Sequence, residues 1–105
     1  MVKKLLFITF LCFSTAVFSQ KTLQKLTTAP NPFYTTTTIR FQATNKQPVF
    51  LIVKNVLGKT VFKKVVNTKI GLNSVLFNRN NLQAGMYIYA IQNREEIISK
   101  RFVIK

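Results

Sequence analysis

The sequence predicts a small all-β protein, an antiparallel β-sandwich of about seven short strands. Val, Ile, Thr, Phe and Tyr dominate the apolar and neutral positions, and no long run places apolar residues at helical spacing. Apolar or alternating stretches recur about every 8 to 12 residues, and Gly, Pro and Asn separate them. This succession of short strands and turns is typical of a sandwich.

Residues 1–19 are predicted to be a cleaved secretory signal peptide. Lys3 and Lys4 form a positive start, residues 5–13 are apolar, and suitable residues precede a cut before Gln20. A membrane-spanning helix needs about 20 apolar residues, so we expect no stable transmembrane segment. The remaining 86 residues (105 − 19) make one small domain. We divide it into a short lead-in, residues 20–28, and a β-sandwich domain, residues 29–105.

Three strands are predicted in the first half of the domain, at residues 23–28, 36–42 and 49–53. The first ends in a break, because Pro30 and Pro32 each fix φ and remove a hydrogen-bond donor. The second alternates, with Ile39 and Phe41 on one face. The third is apolar throughout, which favours an inner strand with its odd-numbered residues facing the core.

Two turns organise the middle of the domain. Asn55 and Gly58 predict a tight hairpin turn followed by a strand at residues 60–66. A second one-glycine turn is predicted at residues 71–73, before a short strand at residues 74–77.

The last two strands differ in character. A loop closing on Gly85 precedes residues 86–91, an unbroken apolar and aromatic run that favours an inner strand. After a polar turn, residues 97–105 are more mixed, with Ile98, Phe102 and Ile104 on one face together with Lys100, which favours a half-exposed partner or edge strand. We expect the end of the chain to be fixed by strand pairing.

Five short motifs follow one another along the chain. They are Pro30-Asn31-Pro32-Phe33, Asn55-Val56-Leu57-Gly58-Lys59-Thr60-Val61, Gly71-Leu72-Asn73, Leu82-Gln83-Ala84-Gly85-Met86-Tyr87-Ile88-Tyr89 and Lys100-Arg101-Phe102-Val103-Ile104-Lys105. In this order they resemble the type A C-terminal sorting domain of the bacterial type IX (Por) secretion system. The similarity covers residues 26–105.

The resemblance implies an immunoglobulin-like β-sandwich that acts as a non-catalytic sorting signal at the end of a cargo protein. In that family the domain is recognised in the periplasm and guides its cargo through an outer-membrane translocon. A sortase-like protease then removes it and attaches the cargo to surface lipopolysaccharide. The expected partners are therefore translocon components, such a protease and lipopolysaccharide, and the expected location is the periplasm, then the cell surface or the medium.

The sorting motif carried over from the family comprises thirteen residues. They are Pro30, Asn31 and Pro32 at the start of the domain, Gly58 and Lys59 in the hairpin, Gly85 and Tyr87 before the inner strand, and Lys100, Arg101, Phe102, Val103, Ile104 and Lys105 in the terminal strand. Several of these residues also have a structural explanation: the glycines as turn residues, Tyr87 as a tyrosine corner or a plain core or interface side chain, and Pro-Asn-Pro as protection of a sheet edge.

The chain departs from the family pattern because only about ten residues separate the predicted cut from Pro30, so no cargo is expected there. Three explanations stay open. The domain is secreted by itself, or it is a remnant of a larger gene, or it is a small protein that uses the fold to bind something else.

The chain is strongly basic, with 16 Lys and Arg against two Glu and a net charge of +14, or +12 (14 − 2) after signal removal. Such a field attracts polyanions, which for an exported protein means lipopolysaccharide or acidic glycans, and we expect no nucleic acid partner. A candidate anion patch comprises Lys54, Lys59, Lys63, Lys64 and Lys69. It supports an alternative function, a small secreted β-sandwich that binds anionic glycans or lipopolysaccharide, although lysines also serve as an ordinary solvated surface.

The residue inventory argues against catalysis. The sequence contains no His and no Asp, its single cysteine, Cys12, lies in the predicted signal peptide, and its carboxylates are the neighbours Glu95 and Glu96. General acid–base chemistry and metal binding both need groups that this inventory lacks. We therefore predict no enzymatic activity, no disulfide and no cofactor.

Overall fold

The structure is a computed structural model that describes residues 21–105, and this part is all β. Its seven strands are β1 (Leu23–Ala29), β2 (Thr36–Ala43), β3 (Pro48–Lys54), β4 (Thr60–Asn67), β5 (Gly71–Asn78), β6 (Gly85–Gln92) and β7 (Ile97–Ile104). The predicted all-β class with about seven strands is confirmed. The predicted signal peptide lies outside the described residues.

The strands form two antiparallel sheets that pack as a sandwich. One sheet has the order β1-β2-β5 and the other has the order β4-β3-β6-β7. The chain changes sheet after β2, after β4 and after β5, while hairpins join β3 to β4 and β6 to β7. This arrangement is consistent with an immunoglobulin-like fold, although β4 pairs with β3 here, whereas the fourth strand of a constant-type immunoglobulin domain joins the first sheet.

The predicted roles of the strands in their sheets are confirmed. β3 and β6 each have a hydrogen-bonded neighbour on both sides, so they are inner strands, and β7 is an edge strand. Ile39 and Phe41 of β2 are fully buried, as are the odd-numbered residues of β3. Alternation therefore points one face of each strand into the core. Burying each large apolar side chain stabilises the folded state by about 1.5–3 kcal/mol.

An aromatic cluster closes the core at one end of the sandwich. Phe102 of β7 has no exposed surface, and its ring centroid lies 5.2 Å from that of Phe33, 5.4 Å from Phe77 and 5.2 Å from Tyr89. Phe33 comes from the loop between β1 and β2, so this cluster ties that loop to both sheets. Each edge-to-face or stacked aromatic pair stabilises the fold by about 0.5–1.5 kcal/mol beyond the contribution of its buried surface.

The predicted turn at residues 71–73 is misplaced. Gly71 has a positive φ of 100°, as a turn glycine would, but it already pairs with Ala43 at the start of β5. The buried Asn73 explains the shift: its side-chain amide accepts from the Lys69 N–H at 2.9 Å and donates to the Lys69 carbonyl oxygen at 3.0 Å. The turn is therefore stabilised from within the strand that follows it.

Candidate functional site

The topology brings four of the five sequence motifs to one end of the sandwich. At this end Ile104 pairs with Gly85, Lys54 pairs with Ile88, and Phe33 forms a parallel bridge with Ile104. We call it the motif end, and it comprises residues 30–34, 54–60, 79–87 and 100–105. The fifth motif, Gly71-Leu72-Asn73, lies at the opposite end, which we call the network end, comprising residues 22, 45–47, 68–73 and 92–97.

The Pro-Asn-Pro segment covers the free edge of β7. The Asn31 side chain donates to the Arg101 carbonyl oxygen at 3.2 Å and accepts from the Val103 N–H at 3.0 Å. Next to it, the Phe33 N–H donates to the Val103 carbonyl oxygen at 3.0 Å, and the Lys105 N–H donates to the Phe33 carbonyl oxygen at 2.8 Å. These four hydrogen bonds fix β7 by pairing up to the last residue of the sequence, as predicted.

Arg79 is a residue of this end that lies outside the five sequence motifs. Its Nη1 atom donates to the Lys105 main-chain oxygen at 2.6 Å and to the Tyr34 carbonyl oxygen at 3.1 Å. Its Nε atom donates to the Leu82 carbonyl oxygen at 2.9 Å. The guanidinium therefore joins three segments, and bonds from a charged donor are stronger than neutral ones.

The hairpin between β3 and β4 holds two apolar side chains in water. The Asn55 side chain accepts from the N–H groups of Leu57 and Lys59, each at 3.0 Å. Gly58 adopts a φ of 84°, which L side chains rarely tolerate, so the predicted turn and its glycine are confirmed. Within this rigid turn Val56 is 68% exposed and Leu57 is 88% exposed.

Tyr87 is a core side chain with an anchored hydroxyl. Its ring is buried, and its O–H donates to the Gln83 carbonyl oxygen at 2.7 Å, four residues upstream. A tyrosine corner bonds back in this manner. Gly85 starts β6 with a φ of 145°. Residues 81–87 and the hairpin at residues 55–57 line a shallow hollow between them.

The terminal motif divides into a buried half and an exposed half. Phe102 and Ile104 belong to the core, so a partner of the folded domain does not reach them. Arg101 and Val103 point to the outer face of the four-stranded sheet, and Lys105 is also exposed. The part of this motif that a partner meets is therefore mainly basic.

The five lysines of the candidate anion patch are all exposed, and they lie along the whole length of the hairpin. Lys54 and Lys59 flank its turn at the motif end, whereas Lys69 follows β4 at the network end. Lys63 and Lys64 are neighbours on β4 and point to opposite faces. Lys63 places its Nζ atom 4.4 Å from the Phe50 ring centroid. Anion binding by this set stays a prediction.

The network end is held by polar side chains. Glu96 accepts from the Thr22 N–H at 2.7 Å, from the Thr22 hydroxyl, and from the Leu23 N–H at 3.3 Å. Partial burial acts to raise the pKa of the Glu96 carboxyl, but hydrogen bonds from Thr22, Leu23 and Asn93 outweigh it, so the pKa lies below its ordinary value. This carboxylate therefore has a structural role.

Residues 21–105 hold no group of three or more His, Cys, Asp or Glu side chains placed to bind a metal ion. In the same part of the chain, no helix is long and apolar enough to cross a membrane.

The sequence motifs therefore converge on one end of a β-sandwich, around a paired terminal strand. The family model described as the secretion system C-terminal sorting domain matches residues 28–105. The chain belongs to this family, the C-terminal sorting domains of type IX secretion, which confirms the resemblance found in the sequence. No curated protein matches the chain.

Membership assigns the domain to a family of non-catalytic sorting signals. It implies interaction with the type IX secretion machinery and export to the cell surface or the extracellular space. The match begins at residue 28, within β1. Residues 23–28 of the expected lead-in belong to this strand, which pairs with β2.

Proposed function

We propose that the domain is a non-catalytic signal read by the type IX translocon, which exports the polypeptide joined to it across the outer membrane. Residues 1–19 direct the chain to the periplasm, and the folded domain then engages the translocon. The observation that carries the proposal is the convergence of motifs far apart in sequence on one end of the fold.

The exposed chemistry of the motif end suits recognition of a folded domain. Arg101, Lys105 and Lys59 are exposed at this end, and so are the apolar side chains of Val56 and Leu57 at the hairpin tip. The hydrogen bonds of Asn31 and Arg79 hold the terminal strand in one position, so a partner binds it without ordering a loose tail.

The later steps of the proposal are removal of the domain by a sortase-like protease and attachment of the cargo to lipopolysaccharide. They rest on family membership. We do not propose binding of anionic glycans or lipopolysaccharide by the domain itself, because the five candidate lysines lie on both faces and at both ends of the hairpin.

A reporter assay tests the proposal. A fluorescent protein is inserted between Gln20 and Lys21 of the full chain, which leaves the Thr22–Glu96 bonds in place. In a host with a working type IX translocon, we expect the reporter on the surface or in the medium, and in the periplasm once the translocon is disabled. A folded fusion that stays in the periplasm of the working host contradicts the proposal.

Surface substitutions test recognition better than truncation does, because removal of residues 102–105 deletes Phe102 and Ile104 from the core. Changing Lys100, Arg101 and Lys105 together to Gln neutralises the exposed part of the terminal strand. The matched control changes Lys21, Lys46 and Lys69 to Gln, which removes the same charge outside the motif end. We expect the first triple variant to lose export and the control to retain it.

A further inference from the structure

The four-stranded sheet presents an apolar outer face that nothing in the described chain covers. Register places Val65 opposite Phe50, Ile52 beside Phe50 along β3, and Met86 opposite Val103. We call the diagonal row across the sheet the outer stripe, and its members are Val65, Phe50, Ile52, Ile88, Met86 and Val103. Apart from Ile52, which is half-buried, each of them remains 38–53% exposed.

The other sheet supplies the comparison. The outward positions of β2 and β5 are mainly polar, with Thr38, Arg40 and Ser74 among them, and the apolar exceptions are Leu72 and Leu76. Four strands about 4.8 Å apart and about 25 Å long give this sheet an outer face of several hundred Å², and the outer stripe crosses all four strands. A continuous apolar row across an exposed sheet face is a candidate interaction site.

The charged residues on the outer face indicate which kind of partner surface it can bind. Lys54, Lys63 and Arg101 share the outer face with the stripe, and the Lys63 Nζ atom lies 4.4 Å from the Phe50 ring centroid. The two Glu side chains of the sequence lie outside the face, in the turn between β6 and β7 and at its end. The outer face therefore combines an apolar centre with cations and carries no carboxylate.

Three occupants are conceivable, and the charges separate them. A second copy would bring two faces of three cations together on strongly basic chains, which like-charge repulsion opposes. A bilayer would contact the most exposed apolar side chains at the motif end, Val56 and Leu57 of the hairpin tip, and these are not members of the outer stripe. An acidic protein surface with an apolar centre complements both features.

We infer that the outer stripe, with Lys54, Lys63 and Arg101, is a docking surface for an acidic, apolar-centred protein surface of the secretion machinery. The inference rests on the proposed function. It adds which face of the domain binds the secretion machinery and what chemistry the partner surface has. Arg101 and Val103 belong to both the terminal motif and this face, so the surface is continuous with the motif end.

A matched pair of substitutions at Val65 tests the face and its charge. Val65 lies on edge strand β4 and is 53% exposed, so both Val65→Glu and Val65→Lys are tolerated by the fold. In the reporter fusion of the full chain, we expect Val65→Glu to reduce surface reporter about tenfold, which corresponds to about 1.4 kcal/mol of lost affinity. Val65→Lys is expected to lose less, because a cation still complements an acidic partner.

The control is Leu76→Glu, on edge strand β5 of the other sheet and 70% exposed. It is expected to export like the wild type. Thermal unfolding of each purified variant verifies that the fold is kept. If Val65→Glu keeps its fold and is exported like the wild type, this inference is overturned and the proposed function stands. If the wild-type fusion reaches the same location with and without a working translocon, the proposed function and this inference are both overturned.

Photocrosslinking identifies the class of occupant. Benzoylphenylalanine is placed at position 65, or at position 76 as the control, in cells that export the fusion. We expect a discrete protein adduct from position 65 that is absent from position 76 and from a host without the translocon. An adduct with lipid, an adduct with a second copy of the chain, or no adduct at position 65 overturns the assignment.

Discussion

The two ends of the sandwich are stabilised by different chemistry. At the network end, polar side chains bond to one another: Gln47 donates to the Thr22 hydroxyl at 3.0 Å, and Asn93 donates to the Gln47 side-chain oxygen at 2.7 Å. Thr68 is buried there and accepts from the Gln47 N–H at 3.0 Å. Its hydrogen-bonding groups are thus largely used within the domain.

The motif end has the reverse arrangement. Main-chain pairing and aromatic packing hold it together, while the cations Lys59, Arg101 and Lys105 and the apolar side chains of Val56 and Leu57 remain in water. The comparison teaches that the network end uses its polar side chains within the domain, whereas the motif end is held by main-chain bonds and aromatic packing and leaves charged and apolar side chains exposed for a partner. At the motif end, substitutions of buried residues should therefore change stability, and substitutions of exposed residues should change export.

The largest effect is expected from Phe102→Ala. The substitution empties the centre of the aromatic cluster, and a buried Phe→Ala change costs about 3–5 kcal/mol, which is much of the stability of a domain of this size. Denaturant unfolding of the full chain measures it. The neighbouring Val103→Ala is the control, with a cost below about 1 kcal/mol because its side chain is partly exposed. Equal losses from both substitutions would contradict the central position of Phe102.

A smaller effect is expected from Asn31→Ala. The change removes both hydrogen bonds between Asn31 and β7 and should cost about 1–2 kcal/mol. The Val103 N–H loses its acceptor, so its hydrogen exchange should accelerate more than that of amides in β2. Asn81→Ala, an exposed change in a nearby loop, is the control. Unchanged exchange at Val103 would show that the segment does not hold the strand.

The smallest effect concerns Glu96 at the network end. Its pKa is lowered from the ordinary 4.5, so its contribution to stability is present above pH 4.5 and is lost as the pH falls through the lower folded value. Since the group is largely exposed, we expect at most about 1 kcal/mol. Unfolding free energies of the wild type and Glu96→Gln, measured from pH 7 to pH 3, should converge at low pH. A constant difference between them would contradict the assignment.

Features set by neighbouring residues were predictable from the sequence. Alternation gave the core faces of β2 and β3, and Asn55 with Gly58 gave the hairpin, because each signal is local. The apolar run at residues 86–91 predicted an inner strand. It could not show that Met86 and Ile88 remain exposed, since that depends on whether another layer covers the sheet.

Features set by distant residues were not predictable. Asn31 and Val103 are 72 positions apart, and Arg79 meets the Lys105 main-chain oxygen across 26 positions. An Arg in a polar loop gives no signal of such a partner. The misplaced turn at Gly71 has a similar cause, because the buried Asn73 side chain reaches back from within the strand to stabilise it.

The parallel bridge between Phe33 and Ile104 also sets how the domain responds to mechanical force. Tension that pulls residue 33 toward the start of the chain while Lys105 is held slides two parallel segments past each other. Their hydrogen bonds are then loaded in shear and must break together, whereas bonds in a peeled hairpin break one after another. The domain should therefore withstand traction on the polypeptide ahead of it, with an unfolding force in single-molecule pulling that falls in Asn31→Ala.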